Sequence, residues 1–226
     1  MSVGRSSQGE NRLPPAAAVV VAMVVYALLP SSLLLTNRLV VPAIEALLLV
    51  ALIVTNPRRM TRESKWSRLA SIGLAVVVIG SNLISMGMLM SQLGDADGND
   101  LLVAAMQTWL THVIGFALLY WEMDRGGPVA RIRESRTDIP AADFRFSQDE
   151  NHDAVVEVKR GSSKDADWIP DFVDYAYLSL TNSSAFSPTD TMPLSSRAKI
   201  LMGIQATAAL LTSLVLVAFA VGSIQG

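Results

Sequence analysis

Long runs of apolar residues, separated by short polar breaks, dominate the first half of this chain and its last segment. Five runs are long enough to predict membrane-spanning helices, at residues 16–35, 39–55, 69–93, 101–121 and 198–222. A helix rises about 1.5 Å per residue, so roughly 20 apolar residues cross the hydrocarbon core of a bilayer. The pattern predicts an all-α membrane protein, a bundle of five transmembrane helices.

The polar segments divide the chain into four regions. Residues 1–15 form an N-terminal tail, 16–121 a four-helix transmembrane region, 122–167 a long hydrophilic loop, and 168–226 a half-helix followed by the last span. Lysine and arginine concentrate in the loop at residues 56–68, whereas the loop at 94–100 is acidic. Basic loops face the cytoplasm. We therefore expect a multi-pass protein of the plasma membrane, with a cytoplasmic tail and hydrophilic loop, and an exterior C-terminus.

The two segments without spanning length carry different expectations. In the hydrophilic loop we expect partial order without a separate core, with Phe144, Phe146 and residues 155–158 as candidates for a small strand or surface contact. Residues 171–181 have apolar positions at helical spacing after Pro170, and prolines at 188 and 193 prevent one long helix. This half-helix is predicted to be re-entrant or interfacial.

Composition excludes several classes of function. Apolar residues make up 51% of the chain and charged residues 17%, and the net charge is −2, without a basic patch suited to nucleic acid. The chain has no cysteine and two histidines, which excludes disulfides and argues against a metal site. Since no phosphate-binding loop, HExxH helix or nucleophile elbow is present, we expect neither a cofactor nor an enzyme. The sequence predicts the lipid bilayer as a partner and leaves a homo-oligomer open.

Polar residues inside the predicted spans are the first candidates for function. Glu45 is the one acid deep within a span, and an ionisable residue at such depth is a functional hypothesis by default. Four further residues lie at similar depth and could form one polar cluster with it: Asn82, Gln107, Thr111 and His112. The structural alternative is interhelical hydrogen bonding, and the functional one is a proton or cation path through Glu45 and His112.

Three glycines recur at seven-residue intervals on the third span, at Gly73, Gly80 and Gly87. Seven residues are close to two helical turns, so the three share one face. Small residues at such a face allow another helix to approach closely. We therefore predict that they are helix-packing residues and that the third span is central.

Residues 177–199 read YLSLTNSSAFSPTDTMPLSSRAK and resemble the pore loop of two-helix potassium channels. In that family a pore helix leads into a T-x-G-[YF]-G-D filter, then a proline and the inner helix. Asp190 and Pro193 match the family's Asp and Pro, and Ser184 falls where the filter threonines begin. The filter glycines and aromatic are replaced by Ser187, Thr189 and Pro188. Glycine permits the positive φ of that filter, so the resemblance implies a degenerate pore loop without potassium selectivity.

The same segment also resembles a group of uncharacterised actinobacterial membrane proteins. It shares with them a D-Y-x-Y-L-S-x-T-N-x-[ST]-A-F-S-P-T-D stretch, preceded by Trp121-Glu122-x-Asp124-Arg125-Gly126-Gly127-Pro128. Members are sometimes labelled ion-channel-like. The resemblance implies a channel-like or transporter-like membrane protein. The alternative is a non-conducting scaffold or regulatory subunit, which should show dry interhelical surfaces where a conducting protein shows a polar cavity. The ion or small-molecule partner is not indicated by the sequence.

Overall fold

The protein is a helical bundle in a computed structural model that describes residues 9–34, 36–55, 59–60, 65–91, 98–135, 137–150, 160–161, 168–184 and 190–224. The described helices are α1 (Leu13–Ala27), α2 (Val40–Thr55), α3 (Lys65–Ser91), α4 (Gly98–Met123), α5 (Pro128–Arg133), α6 (Phe172–Ser184) and α7 (Ser196–Ile224).

Three helices are long and apolar enough to cross a membrane, at Trp66–Ser91, Leu101–Gly126 and Ser196–Val217. These lie in α3, α4 and α7. Helices α1 and α2 are also apolar but have only 15 and 16 residues. Each of the five predicted spans therefore contains an apolar helix, and three of these helices reach spanning length.

The first predicted span, residues 16–35, is wrong in its extent. Helix α1 ends at Ala27, and the chain passes through Pro30 into a short 3₁₀ helix at Ser31–Leu33. A proline lacks the N–H that a continuing helix needs, and it disfavours helical backbone in the residue before it. Asn37 then starts the return, since its Oδ1 accepts the N–H of Leu39 at 3.0 Å. Helices α1 and α2 pack together as a hairpin.

Helix α4, rather than the predicted third span, is the centre of the bundle. It contacts α1, α3, α6 and α7, while α2 packs on α1 and α3. In its most apolar window 61% of the residues are buried, against 33% in α3 and in α7. Contact with four other helices buries most of α4, whose small, aromatic and hydroxyl side chains permit close packing, and leaves Val103, Met106 and Leu110 exposed.

Two apolar clusters divide the bundle along its length. The first apolar cluster includes Val78, Phe116, Trp121 and Met202, and it lies where α4 ends and α6 and α7 begin. We call this end of the bundle the loop end. The second apolar cluster lies at the other end, where the turn after α1 packs on the end of α3 and the start of α4; it includes Tyr26, Leu29, Leu33, Leu89, Leu101 and Val215.

Two small antiparallel sheets tie the loop end together. Strand β1 (Glu10–Asn11) pairs with β2 (Arg59–Met60), and β3 (Phe144–Arg145) pairs with β4 (Met192–Pro193). Phe144 and Phe146 are buried in the first apolar cluster, which confirms the predicted strand at Phe144. Residues 155–158 of that prediction lie outside the described residues.

The predicted half-helix is present as α6. Its 13 residues are about 20 Å long. Asp171 Oδ1 accepts the N–H of Val173 at 2.8 Å, and Asp174 Oδ2 accepts the N–H of Asp171 at 2.8 Å. The two carboxylates therefore act as a reciprocal helix cap. Helix α6 runs inward: Phe172 stacks on Trp121 at the loop end, and Ser183 accepts a hydrogen bond from Trp109, three turns away on α4.

Candidate functional site

Buried polar side chains occupy the level between the two apolar clusters. On α4, residues 108–112 fall between Ala105 of the second apolar cluster and Phe116 of the first, and the other helices place polar residues at the same level. None of these side chains is more than 4% exposed: Glu45, Asn82, Ser85, Thr108, Thr111, His112 and Gln205. We call them the polar layer.

Asn82 joins α3 to α4 within this layer. Its Nδ2 donates to the backbone oxygen of Thr108 at 2.6 Å and to Oγ1 of Thr111 at 2.7 Å. Thr111 in turn donates to the backbone oxygens of Gln107 and Thr108, one turn earlier. An asparagine buried between apolar helices must find such partners, because an unpaired amide costs several kcal/mol in hydrocarbon.

His112 links three helices. Its Nδ1 lies 3.1 Å from Oδ1 of Asn82 on α3, and its Nε2 lies 3.0 Å from the backbone oxygen of Gln205 on α7. The ring also packs against Phe116, with 4.8 Å between centroids. The structure therefore brings together three of the five predicted cluster residues: Asn82, Thr111 and His112.

Gln205 extends the layer to α6, and the sequence analysis missed it. Its Nε2 donates to Oγ of Ser179 at 2.6 Å and to Oγ of Ser183 at 2.8 Å, and its Oε1 accepts from Tyr120 at 2.6 Å and from Asn182 at 2.8 Å. Gln205 is the one amide between Lys199 and residue 224 of this apolar helix. The rule that singled out Gln107 would have found it.

Glu45 and Gln107 stand apart from this hydrogen-bonded group. Glu45 is 1% exposed, and its Oε2 has no hydrogen-bond partner among the described residues. The same holds for Oε1 of Gln107 and for two hydroxyls of the polar layer, those of Ser85 and Thr108. The predicted joining of Glu45 and Gln107 to the cluster by hydrogen bonds is not found. Instead, the polar layer contains a buried carboxyl oxygen without a protein partner.

The pore-loop candidates fall at several different places. Ser184 ends α6, with its Oγ donating to Thr181 at 3.1 Å. Pro193 is paired with Phe144 in the small sheet at the loop end. Asp190 is exposed. Ser187, Pro188 and Thr189 lie outside the described residues. At the start of α7, Arg197 pairs with Asp143, and Oγ of Ser195 accepts the N–H of Ala198.

The predicted close packing at the glycine stripe is also wrong within this chain. A Cβ atom built at Gly73, Gly80 or Gly87 meets no described atom within 4 Å. The reason is the face that α3 turns to α4, which carries Leu74, Val78, Asn82 and Leu89 instead. Close approach occurs at Gly115 of α4, where a Cβ would lie 2.9 Å from Cγ1 of Ile79.

A network of ion pairs occupies the loop end; its members are Glu10, Asp124, Arg125, Arg131, Asp143, Asp149, Tyr175 and Arg197. We call it the loop-end network. At its centre the guanidinium of Arg131 is fully buried and lies 4.9 Å from the ring centroid of Tyr175. Its Nη1 donates to the last carbonyls of α4, those of Trp121 at 2.7 Å and Asp124 at 3.0 Å. A cation there compensates the negative end of the helix dipole.

The sharp turn after α4 allows Arg131 of α5 to reach the carbonyls at the end of α4. Arg125, Gly126 and Gly127 have φ angles of 52°, 81° and 95°, and α5 then starts at Pro128. Gly126 also has no room for a side chain, because a Cβ would lie 2.9 Å from the Pro140 ring. The Asp-Arg-Gly-Gly-Pro sequence thus folds α5 back beneath α4. Asp124, fully buried, accepts the hydroxyl of Tyr175 at 2.6 Å.

Glu10 connects the N-terminal strand to the loop-end network. Its Oε1 accepts Nε1 of Trp121 at 2.7 Å and the first N–H of α6, that of Phe172, at 3.0 Å. Its Oε2 lies 3.4 Å from Nη2 of Arg131. Burial raises the pKa of Glu10 above its ordinary value, although the charge of Arg131 and these hydrogen bonds oppose the rise. The carboxylate holds three segments together, which is a structural role.

Among the described residues, no group of three or more His, Asp or Glu side chains is placed to hold a metal ion. Comparison of the chain with protein-family models, with curated proteins and with solved structures returns no match. Two arrangements could carry a function: the polar layer, which has an unpartnered carboxyl oxygen, and the loop-end network, in which acids and arginines are paired.

Proposed function

We propose that the chain crosses the plasma membrane five times and that α1 and α2 cross as a hairpin despite their length. The support is the depth that the hairpin reaches. Leu29 and Leu33 at its tip pack with Leu101 at the start of α4, while Val19 and Met60 pack in the cluster of Trp121 near its end. From residue 101 to residue 121 a helix rises about 30 Å, the thickness of the hydrocarbon core. In this topology α6 is re-entrant from the cytoplasmic side.

Cysteine labelling tests this topology directly, because the natural chain contains no cysteine. A cysteine placed at the exposed Asn37, between α1 and α2, should react with an impermeant maleimide added outside intact cells. A cysteine at the exposed Glu134 should react only after permeabilisation. If the cysteine at position 37 does not react with the outside reagent, α1 and α2 do not cross and the protein has three spans. If the cysteine at position 134 reacts in intact cells, the orientation is the reverse of the proposed one.

For the activity, we propose a channel-like or transporter-like protein that passes a proton or a small cation through the polar layer. The observation that carries the proposal is Glu45, a carboxyl buried to 1% exposure between apolar helices with one oxygen unpartnered. A group of this kind costs a few kcal/mol in a membrane, so a purely structural role would need a partner that offsets the cost. The hydroxyls of Ser85 and Thr108, which also lack a hydrogen-bond partner in the described part of the chain, offer further oxygens at the same level.

The resemblance of residues 177–199 to a potassium-channel pore loop gives the proposal a second, weaker support. A half-helix that ends in the middle of the bundle is common to both. The position of Pro193 in a sheet at the loop end favours a structural role for the segment that follows α6. We therefore assign the path to the polar layer and regard the loop as a relic of channel ancestry.

Flux measurements in liposomes test the proposal. The wild-type protein should pass protons, sodium or potassium above the level of empty liposomes, and Glu45→Gln should lower the rate at least about tenfold, the equivalent of about 1.4 kcal/mol in a barrier. Glu134→Gln, the same change at an exposed position of the loop, is the matched control and should leave the rate unchanged. If the ions instead pass through the loop after α6, Asp190→Asn should lower the flux and Glu45→Gln should remain active.

The second candidate is a non-conducting scaffold or regulatory subunit. It is favoured by the hydrogen bonds that join Asn82, His112 and Gln205, which resemble interhelical packing in membrane bundles. A cavity of about 300 Å³, lined by Arg125, Arg131, Trp168 and several aliphatic side chains, also lies at the loop end rather than in the polar layer. If this candidate is right, liposomes show no flux above background for any of the three ions, and Glu45→Gln alters only stability or partner binding.

A further inference from the structure

His112 differs from every other member of the polar layer because both of its ring nitrogens face oxygen acceptors. Nε2 faces the backbone oxygen of Gln205, which can only accept. Nδ1 faces Oδ1 of Asn82, and the orientation of that amide is fixed by its other end, since Nδ2 donates to the backbone oxygen of Thr108. A neutral imidazole has one N–H and one lone pair, so it satisfies only one of these contacts. The imidazolium, with two N–H groups, satisfies both.

We infer that His112 holds a proton as the imidazolium, and that the proton, rather than a metal cation, is the species handled by the polar layer. The inference rests on the proposed function and specifies its substrate. Burial by itself favours the neutral ring, because it removes water from the charge. Two features oppose this effect: the charge-assisted bonds to two acceptors, and the ring of Phe116 at 4.8 Å.

Glu45 is the one acid at this level among the described residues, and we assign the balancing charge to it. At the level of the polar layer, the titratable side chains of the described helices are Glu45 on α2, Tyr26 on α1, and Tyr120 on α4 beside His112 itself. Helices α3, α6 and α7 present neutral amides and hydroxyls there, while Asp174 and Tyr175 of α6 and Arg197 and Lys199 of α7 lie toward the loop end. An ionised Glu45 with a protonated His112 leaves the layer with zero net charge, as does a protonated Glu45 with a neutral ring. The two oxygen acceptors that face His112 are what favours the first of these states.

The charge on His112 also sets the selectivity. A positive ring between α3, α4 and α7 repels sodium and potassium, and this repulsion is strong where water is excluded. A proton avoids it, because it enters by occupying one of the two titratable groups. We therefore expect proton flux without sodium or potassium flux, and we expect His112→Asn, which lacks a titratable nitrogen, to reduce the proton flux at least about tenfold.

The protonation state can be observed on almost unaltered protein. The chain has two histidines, so His152→Gln leaves His112 as the one remaining signal. In ¹⁵N-histidine-labelled protein in bilayers at neutral pH, nitrogen NMR should show two protonated ring nitrogens. A ring with one protonated nitrogen would overturn the inference. In the same background Glu45→Gln removes the balancing charge and should convert His112 to the neutral ring; an unchanged imidazolium would overturn the role of Glu45.

The NMR result tests the charge on His112 and the flux result tests transport, so failure of the inference can be distinguished from failure of the proposed function. Two protonated nitrogens without any flux would refute transport and leave the charged His112 standing. Proton flux with a singly protonated ring would support transport and refute the inference. Sodium or potassium flux equal to the proton flux would refute the assignment of the proton as substrate.

Discussion

The loop-end network and the polar layer are both buried and polar, yet they differ in whether their charged side chains have partners of opposite charge. At the loop end, Arg131 and Asp124 are fully buried, and each meets partners supplied by different segments of chain. In the polar layer the partners are neutral amides and hydroxyls, and one oxygen of the single acid, Glu45, has no partner among the described residues. Turns and strands at the end of the bundle can bring opposite charges together, whereas straight helices present only what their own faces carry. In the part of the chain that the structure describes, Arg125 and Arg131 each have one unbonded guanidinium nitrogen but lie in ion pairs, whereas Glu45 has no ion-pair partner.

The largest expected effect tests the structural side of this comparison. Arg131→Met should destabilise the protein by about 3–5 kcal/mol, because it leaves the Glu10 carboxylate and the carbonyls of Trp121 and Asp124 buried without their cation. Thermal unfolding in detergent measures the loss. Arg133→Met, two residues along α5 and exposed, is the matched control and should change stability by less than about 0.5 kcal/mol. Equal effects at the two positions would show that the buried network contributes nothing.

The next effect tests how far the polar layer is also structural. Gln205→Leu should cost about 2–3 kcal/mol, because the hydroxyl of Tyr120 and the amide of Asn182 lose their shared acceptor inside the bundle. Thr207→Ala, at an exposed position of the same helix, serves as the control. Unfolding followed by helical circular dichroism reports both variants. If Gln205→Leu left the free energy of unfolding unchanged, α6 would be held by its apolar contacts alone.

A third prediction concerns the distance between α3 and α4, which sets the geometry around Asn82 and His112. Gly115→Leu should destabilise the bundle by about 2 kcal/mol, since even the first added carbon meets Ile79 at 2.9 Å. Gly80→Leu projects into open space and should have little effect on the stability of the single chain. The reverse order of stabilities would show that the glycine stripe is covered and Gly115 is not.

The smallest expected effect on stability distinguishes Asp143 from Asp190, two aspartates near the start of α7. Asp143→Asn weakens the contacts with Arg197 and Ser195 and should cost about 1 kcal/mol, limited because Arg197 is 60% exposed to solvent. Asp190→Asn should be neutral for stability, because Asp190 is exposed. Thermal unfolding of both variants in one detergent compares the two aspartates as partners of Arg197. A cost confined to Asp190→Asn would show that Asp143 is not the aspartate that stabilises the start of α7.

Periodicity and length predicted the helices well because they depend on local sequence. The half-helix α6 and the apolar part of α4 lie close to their expected positions, while the extent of the first span was missed at Pro30. The joining of Asn82, Thr111 and His112 was also predictable, since depth along a helix follows from residue number. What the sequence could not supply was rotation about the helix axes. Rotation decides that Gly115 rather than Gly80 meets a neighbour, and that Gln107 stays outside the hydrogen-bonded group although it was expected there from its depth.

The contacts of Glu10 have a consequence for biosynthesis. The carboxylate precedes its partners Trp121 and Phe172 by 111 and 162 residues. Strand β1 therefore lacks these contacts until both partners have been synthesised. Its docking can occur only when α6 has emerged, so the contact reports completed assembly. A tag that holds residues 9–11 away from the surface should yield inserted helices whose loop end has not closed.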